Sequence, residues 1–182
     1  MLKIVVPGGQ ERWDEKNERF LHSGTKDTVL RLEHSLISIS KWESKYHIPF
    51  IDSTKTDEQV LDYVRCMCLN GDVDDSVFDW LTPNNIREIN DYIADPMTAT
   101  VIDDKHSKKK TAEKVTSELI YYWMIAYNVP VEFEKWHINR LIMLIRVCAA
   151  KNEDPKKMSK RDIMAQNRAI NAARRARLHT KG

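Results

Sequence analysis

Hydrophobic and polar residues change their period once along this chain. Leu2, Ile4, Val5 and Val6 form a short β-type run that Pro7-Gly8-Gly9 stops as a turn. A second run at residues 19–22 ends before Gly24, and residues 29–33 alternate apolar and polar as an antiparallel strand does. Three short strands joined by tight turns predict a small N-terminal sheet. From Ser35, an N-cap residue, the spacing becomes helical, with Leu36, Ile39, Trp42 and Tyr46 on one side until Pro49. Thr56 caps the next helix with Gln59 as its capping-box partner; Val60, Leu61, Val64 and Met67 mark the buried face and Gly71 closes it. Residues 72–80 are acidic and fit neither period. Thr82-Pro83 is an N-cap and N1 pair for a helix carrying Ile86, Ile89, Asn90 and Ile93, which Pro96 stops. The β-branched residues 98–102 are a candidate strand returning to the sheet.

Residues 103–110 form a polar, lysine-rich stretch that reads as a loop and internal boundary. A helix is expected over residues 111–127, then a break at Asn128-Val129-Pro130 short enough to force an antiparallel partner over residues 131–150. Pro155 ends that αα-hairpin, and Ser159 caps a last helix reaching about Leu178. The expected fold is α+β and predominantly helical: short strands in 1–34, a helical region in 35–102, the loop 103–110, the hairpin in 111–154 and a basic C-terminal helix in 155–182.

The hairpin is more apolar than a surface helix pair requires. A helix lying on a core needs an apolar stripe roughly 100° wide, yet residues 119–127 are apolar nearly all round, as are residues 141–145. Either both helices are core, or one face is a docking surface for an apolar helix. On the second reading the interface candidates are Tyr121, Tyr122, Met124, Trp136, Ile138 and Met143, because aromatics and methionine tolerate varied partners.

The net charge of +2, from 29 Lys plus Arg against 27 Asp plus Glu, hides an asymmetry. Residues 151–182 hold ten basic and three acidic residues, a surplus of seven that leaves residues 1–150 with a deficit of five. Arg174, Arg175 and Arg177 are therefore candidates for acidic partners. A basic tail also suits nucleic acid, whose phosphates release counterions when neutralised; the acidic body favours docking on protein instead. The longest apolar run is nine residues, too short to span a bilayer, and residues 2–6 are too short for a leader. Three cysteines, two as Cys66-Met67-Cys68, make no disulfide framework, so a soluble protein of a reducing compartment is expected.

No motif names a reaction. Glu134-Lys135-Trp136-His137 is an E-x-x-H expected on a helix, half of a di-iron carboxylate motif, but no second copy exists and His137 reads better as a buried or interfacial hydrogen bonder. Glu43 and His47 stand at i, i+4 without a third ligand and read as a surface pair. Cys66 and Cys68 lack zinc and C-x-x-C spacing and read as buried thiols. Gly8-Gly9 is followed by no G-K-[ST], and no G-x-S-x-G is present. Neither catalysis, metal nor cofactor is expected.

Three segments carry a resemblance: Leu32-Glu33-His34-Ser35-Leu36-Ile37-Ser38-Ile39-Ser40-Lys41-Trp42-Glu43-Ser44-Lys45, then Trp136-His137-Ile138-Asn139-Arg140-Leu141-Ile142, and the Ala- and Arg-rich residues 167–182. Over residues 29–182 the chain resembles the tail assembly chaperones of long-tailed (siphovirus-type) bacteriophages. The resemblance implies a mainly helical, non-enzymatic protein of the host cytoplasm. It would bind the aggregation-prone tape measure protein and help the tail tube protein polymerise round it. Opposite charges on body and tail can favour head-to-tail homo-oligomers. The strand-rich first 30 residues depart from that pattern and leave open a structural virion role, as a tail or head–tail connector component. A nucleic-acid-binding role through the basic helix is the second alternative.

Overall fold

The computed structural model describes residues 1–15, 17–102, 114–152 and 160–178. The chain forms two units, Met1–Cys148 and Ala149–Gly182. The first opens with strands β1 (Leu2–Val6), β2 (Glu11–Asp14), β3 (Arg19–His22) and β4 (Thr28–Leu32). Helices α1 (Leu36–Tyr46), α2 (Asp57–Met67), α3 (Pro83–Ala94) and α4 (Ser117–Ala126) follow, with 3-10 turns at Asp75–Trp80 and Val131–Lys135, and then α5 (Ile138–Asn152), which runs past the end of the unit at Cys148. Helix α6 (Lys160–Leu178) belongs to the second unit. The architecture is α+β and mainly helical, and among the described residues no helix is long and apolar enough to cross a membrane.

The strands form two antiparallel ladders. β1 pairs with β4 from Leu2 opposite Leu32 to Val6 opposite Thr28, and β2 pairs with β3 from Glu11 opposite His22 to Asp14 opposite Arg19. Residues 19–22 therefore pair with a strand that hydrophobic pattern does not reveal, since Glu11–Asp14 is charged but for Trp13. The period-2 rule holds in the first ladder: Ile4, Val6, Leu30 and Leu32 face the core, while Lys3, Val5, Val29 and Arg31 face out. The outer edge of β4 is satisfied by the segment after α2. Leu69 N donates to Arg31 O at 2.8 Å, the Asn70 amide oxygen accepts from Arg31 N at 2.8 Å, and its NH2 donates to Val29 O at 3.1 Å. On β1, Val5 O accepts from the Asn85 amide at 3.1 Å. Residues 98–102 form no strand, and Val101 is exposed. The returning strand expected there is corrected accordingly.

Helix starts follow local chemistry. Ser35, Thr56 and Thr82 each close a capping box, with Ser38, Gln59 and Asn85 at the third helical position. Thr56→Ala should destabilise the protein by about 1 kcal/mol, the usual cost of a lost N-cap, measured as a lower urea midpoint at unchanged slope. Trp42 is fully buried, donates Nε1–H to Gln59 O at 2.9 Å and meets Phe50 edge-on with centroids 5.2 Å apart, so it joins α1 to α2 and to the loop between them. On α2, Tyr63 joins Val64 and Met67 in the core, whereas Val60 is exposed. On α3, Ile89 and Tyr92 are buried, whereas Ile86 and Asn90 are exposed.

The expected αα-hairpin is shorter and interrupted. Thr116 caps α4, so residues 114–116 are not helical and the helix begins at Ser117; residues 111–113 of the expected span lie outside the described residues. The stretch read as one helix from residue 131 is a 3-10 turn, an extended Trp136 and then α5. Ile138 N donates to His34 O at 2.7 Å, and Ser35 and His137 form a β-bridge. Tertiary pairing with the β4–α1 junction thus replaces two turns of helix. The loop at 103–110 and the cap at Ser159 lie outside the described residues.

Candidate partner-binding surface

Helix α4 turns one face into the core and the other outward. Its inner side is Ile120 and Met124, four residues apart and buried, and it packs on α1. The opposite side carries Glu118, Tyr122 and Ile125 at i, i+4 and i+7, with Tyr122 63% and Ile125 76% exposed. Val131, 60% exposed, follows after a left-handed Asn128 and a bond from Val129 N to Met124 O at 2.8 Å that closes the helix end. A large tyrosine and a branched aliphatic in water, one turn apart on one helix face, are what an unpartnered contact strip looks like.

Two carboxylates hold α4 in place. Glu43 on α1 is buried; its Oε1 accepts from Phe50 N and its Oε2 from Ser117 N, both at 2.7 Å. Asp52 Oδ2 accepts from Val115 N at 2.8 Å. Glu43 therefore faces the first N–H of α4, where the helix dipole favours an anion. This corrects its reading as the surface partner of His47. His47 is the exposed left-handed C-cap of α1, and its backbone N–H donates to Glu43 O. Burial lowers the pKa of the neighbouring Lys55 ammonium, and the Glu43 charge works against that shift.

The sequence-predicted surface residues separate into three sets. Tyr122 lies on the outward strip. Tyr121, Trp136 and Met143 are half-buried. The Tyr121 hydroxyl donates to Glu134 Oε2 at 2.8 Å, and burial with that carboxylate pushes its pKa up to about 12. Trp136 is stacked on Phe133 with centroids 3.9 Å apart, and the Arg140 guanidinium lies 4.1 Å from its ring centre. Met124 and Ile138 are corrected: both are core residues, 2% exposed. Met124 shares the inner face with Ile120, and Ile138 is anchored through its N–H to His34. Sequence reasoning passed over Ile125, whose position three residues after Tyr122 and one after Met124 puts it on the outer face. Arg174, Arg175 and Arg177 are exposed on α6 in the second unit.

Groups with chemical potential are used internally. His137 is buried, its Nε2 sits 3.0 Å from Tyr92 O, and its Nδ1 accepts from Asn139 N at 3.3 Å. Its neighbour Glu134 lies in the 3-10 turn, so the E-x-x-H does not sit on a helix. The His137 ring stands edge-on to His34 with centroids 4.9 Å apart. The Tyr63 hydroxyl is paired with His34 Nδ1, and Tyr92 donates its hydroxyl to Glu33. Cys66 and Cys68 are half-buried, and burial raises the Cys66 pKa, which keeps a thiol rather than a thiolate. Among the described residues no three His, Cys, Asp or Glu side chains converge on a metal site. No family model, curated protein or solved structure matches the chain.

Proposed function

We propose that this chain is a non-enzymatic assembly chaperone of a long-tailed phage, shielding apolar helical segments of the tape measure protein while the tail tube polymerises. The observation that carries the reading is the exposed pair Tyr122 and Ile125 on one face of a helix whose other side is anchored in the core. An amphipathic partner helix lays its own apolar stripe on such a surface through i, i+3 and i+4 contacts. The segments resembling tail assembly chaperones include Trp136 and Arg140, which stand beside the 3-10 turn that begins at Val131.

The test is co-purification and titration with a helical fragment of the tape measure protein from the same phage. Tyr122→Asp with Ile125→Asp should weaken binding at least about tenfold, since each change places a charge where apolar area is buried. Both side chains are exposed, so the fold should survive. Unchanged affinity in that variant overturns the assignment of the strip. Mass spectrometry of purified particles separates the chaperone from a virion component: the chaperone is absent, whereas a connector is present at fixed copy number.

A further inference from the structure

We propose that the outer face of the β1–β4 ladder docks on the α4 strip of a second copy of this chain, making a head-to-tail contact. This rests on the reading of α4 as a docking surface and names a second occupant for it. Half-buried ladders normally turn polar residues outward, yet here Val5 stands opposite Val29 on the outer face, each about half exposed at 48% and 49%. Next to that apolar pair, Lys3 stands directly opposite Arg31, both exposed and with no carboxylate partner among the described residues. Like charges directly opposed across a ladder repel, and one carboxylate placed between them would relieve both.

The α4 strip supplies that carboxylate in the matching order. Glu118 lies one turn before Tyr122, followed by Ile125, all on one exposed face. Local hydrogen bonds keep the Glu118 pKa below its ordinary value, so it is ionised at neutral pH. The step from the basic pair to the apolar pair is two strand residues, about 7 Å. That from Glu118 to Tyr122 is four helical residues, about 6 Å. Val5 and Val29 can thus cover Tyr122 and Ile125 while Glu118 enters between Lys3 and Arg31. The two surfaces differ, so each copy keeps one free, and the contact propagates into a ring or an open row rather than stopping at a dimer. A patch this small gives weak association, and a tape measure helix on the same strip competes with it.

Sedimentation velocity of the full chain over a concentration series tests this. The weight-average mass should rise with concentration and fall as salt is added. Lys3→Glu with Arg31→Glu should remain monomeric; it swaps one like-charge pair for another, and circular dichroism checks that the fold is kept. Glu118→Lys should also remain monomeric, and combining it with Lys3→Glu and Arg31→Glu should restore association. A wild-type chain that stays monomeric throughout, an association indifferent to these changes, or a triple variant that fails to recover overturns the proposal. Lys3→Glu with Arg31→Glu leaves α4 intact and should keep its affinity for the tape measure fragment. If fragment binding persists while self-association is absent, this inference alone falls; if self-association behaves as expected and the fragment does not bind, the chaperone reading alone falls.

Discussion

Glu43→Ala is expected to cost about 3 kcal/mol of stability and to remove partner binding with it, because it orphans one buried and one part-buried backbone donor, each worth about 1–3 kcal/mol. Those donors are Phe50 N and Ser117 N, which the carboxylate joins from one position on α1. The first fixes the loop that seats Phe50 against Trp42 and Tyr63. The second fixes the start of α4 and so the direction in which Tyr122 and Ile125 point. Glu43→Gln keeps one good acceptor and should lose roughly half as much, about 1–2 kcal/mol, which separates hydrogen bonding from loss of bulk. Urea denaturation measures the stability, and hydrogen exchange at the Ser117 and Phe50 amides gives the local readout. Both amides should exchange far faster in Glu43→Ala. If they stay protected, the carboxylate is not their anchor.

That anchor explains where sequence pattern succeeds and where it stops. Features set by residues a few positions apart are legible: Ser35, Thr56 and Thr82 begin helices because the cap and its partner sit within one turn. Leu2–Val6, Arg19–His22 and Thr28–Leu32 are strands because their apolar positions alternate or run together. Features set by distant partners are not. Glu43 and His47 look like an exposed i, i+4 pair until residue 117, far along the chain, claims the carboxylate. Residues 131–150 have the apolar content of one helix until the His34 carbonyl takes the N–H of Ile138 and extends Trp136. Glu11–Asp14 has no strand pattern and is a strand because Arg19–His22 pairs with it. In the surface itself Tyr122 was legible, but a run apolar nearly all round does not reveal its inner side. That side follows from α1, which takes Ile120 and Met124 and leaves Ile125 outside.

Acidification from pH 7.5 to 5 should remove about 2 kcal/mol of stability through His34 alone, before carboxylate protonation contributes. His34 sits at the β4–α1 junction, almost fully buried, and faces Tyr63 from α2, Phe50 from the loop and His137 from the start of α5. Burial, with a smaller contribution from His137, pushes its pKa down from 6.5 to about 3. Burial also lowers His137, against the opposing pull of Tyr92 O, Glu33 and Asp95. His34 is therefore neutral in the fold across this window, and the unfolded chain binds more protons there. Stability is complete above pH 6.5 and falls as pH drops towards 3. The sequence of opening should follow the contacts: protonating His34 places a cation in its buried pairing with the Tyr63 hydroxyl and against the His137 ring, across the junction that holds Ile138 in register. His34→Gln retains an acceptor for Tyr63 and carries no titrating group, so its urea midpoint should change less over the same pH range. Equal losses in His34→Gln and the wild-type chain would assign the acid sensitivity to other groups. Protection of the Ile138 amide, which donates to the His34 carbonyl across the same junction, should decline in step with the midpoint.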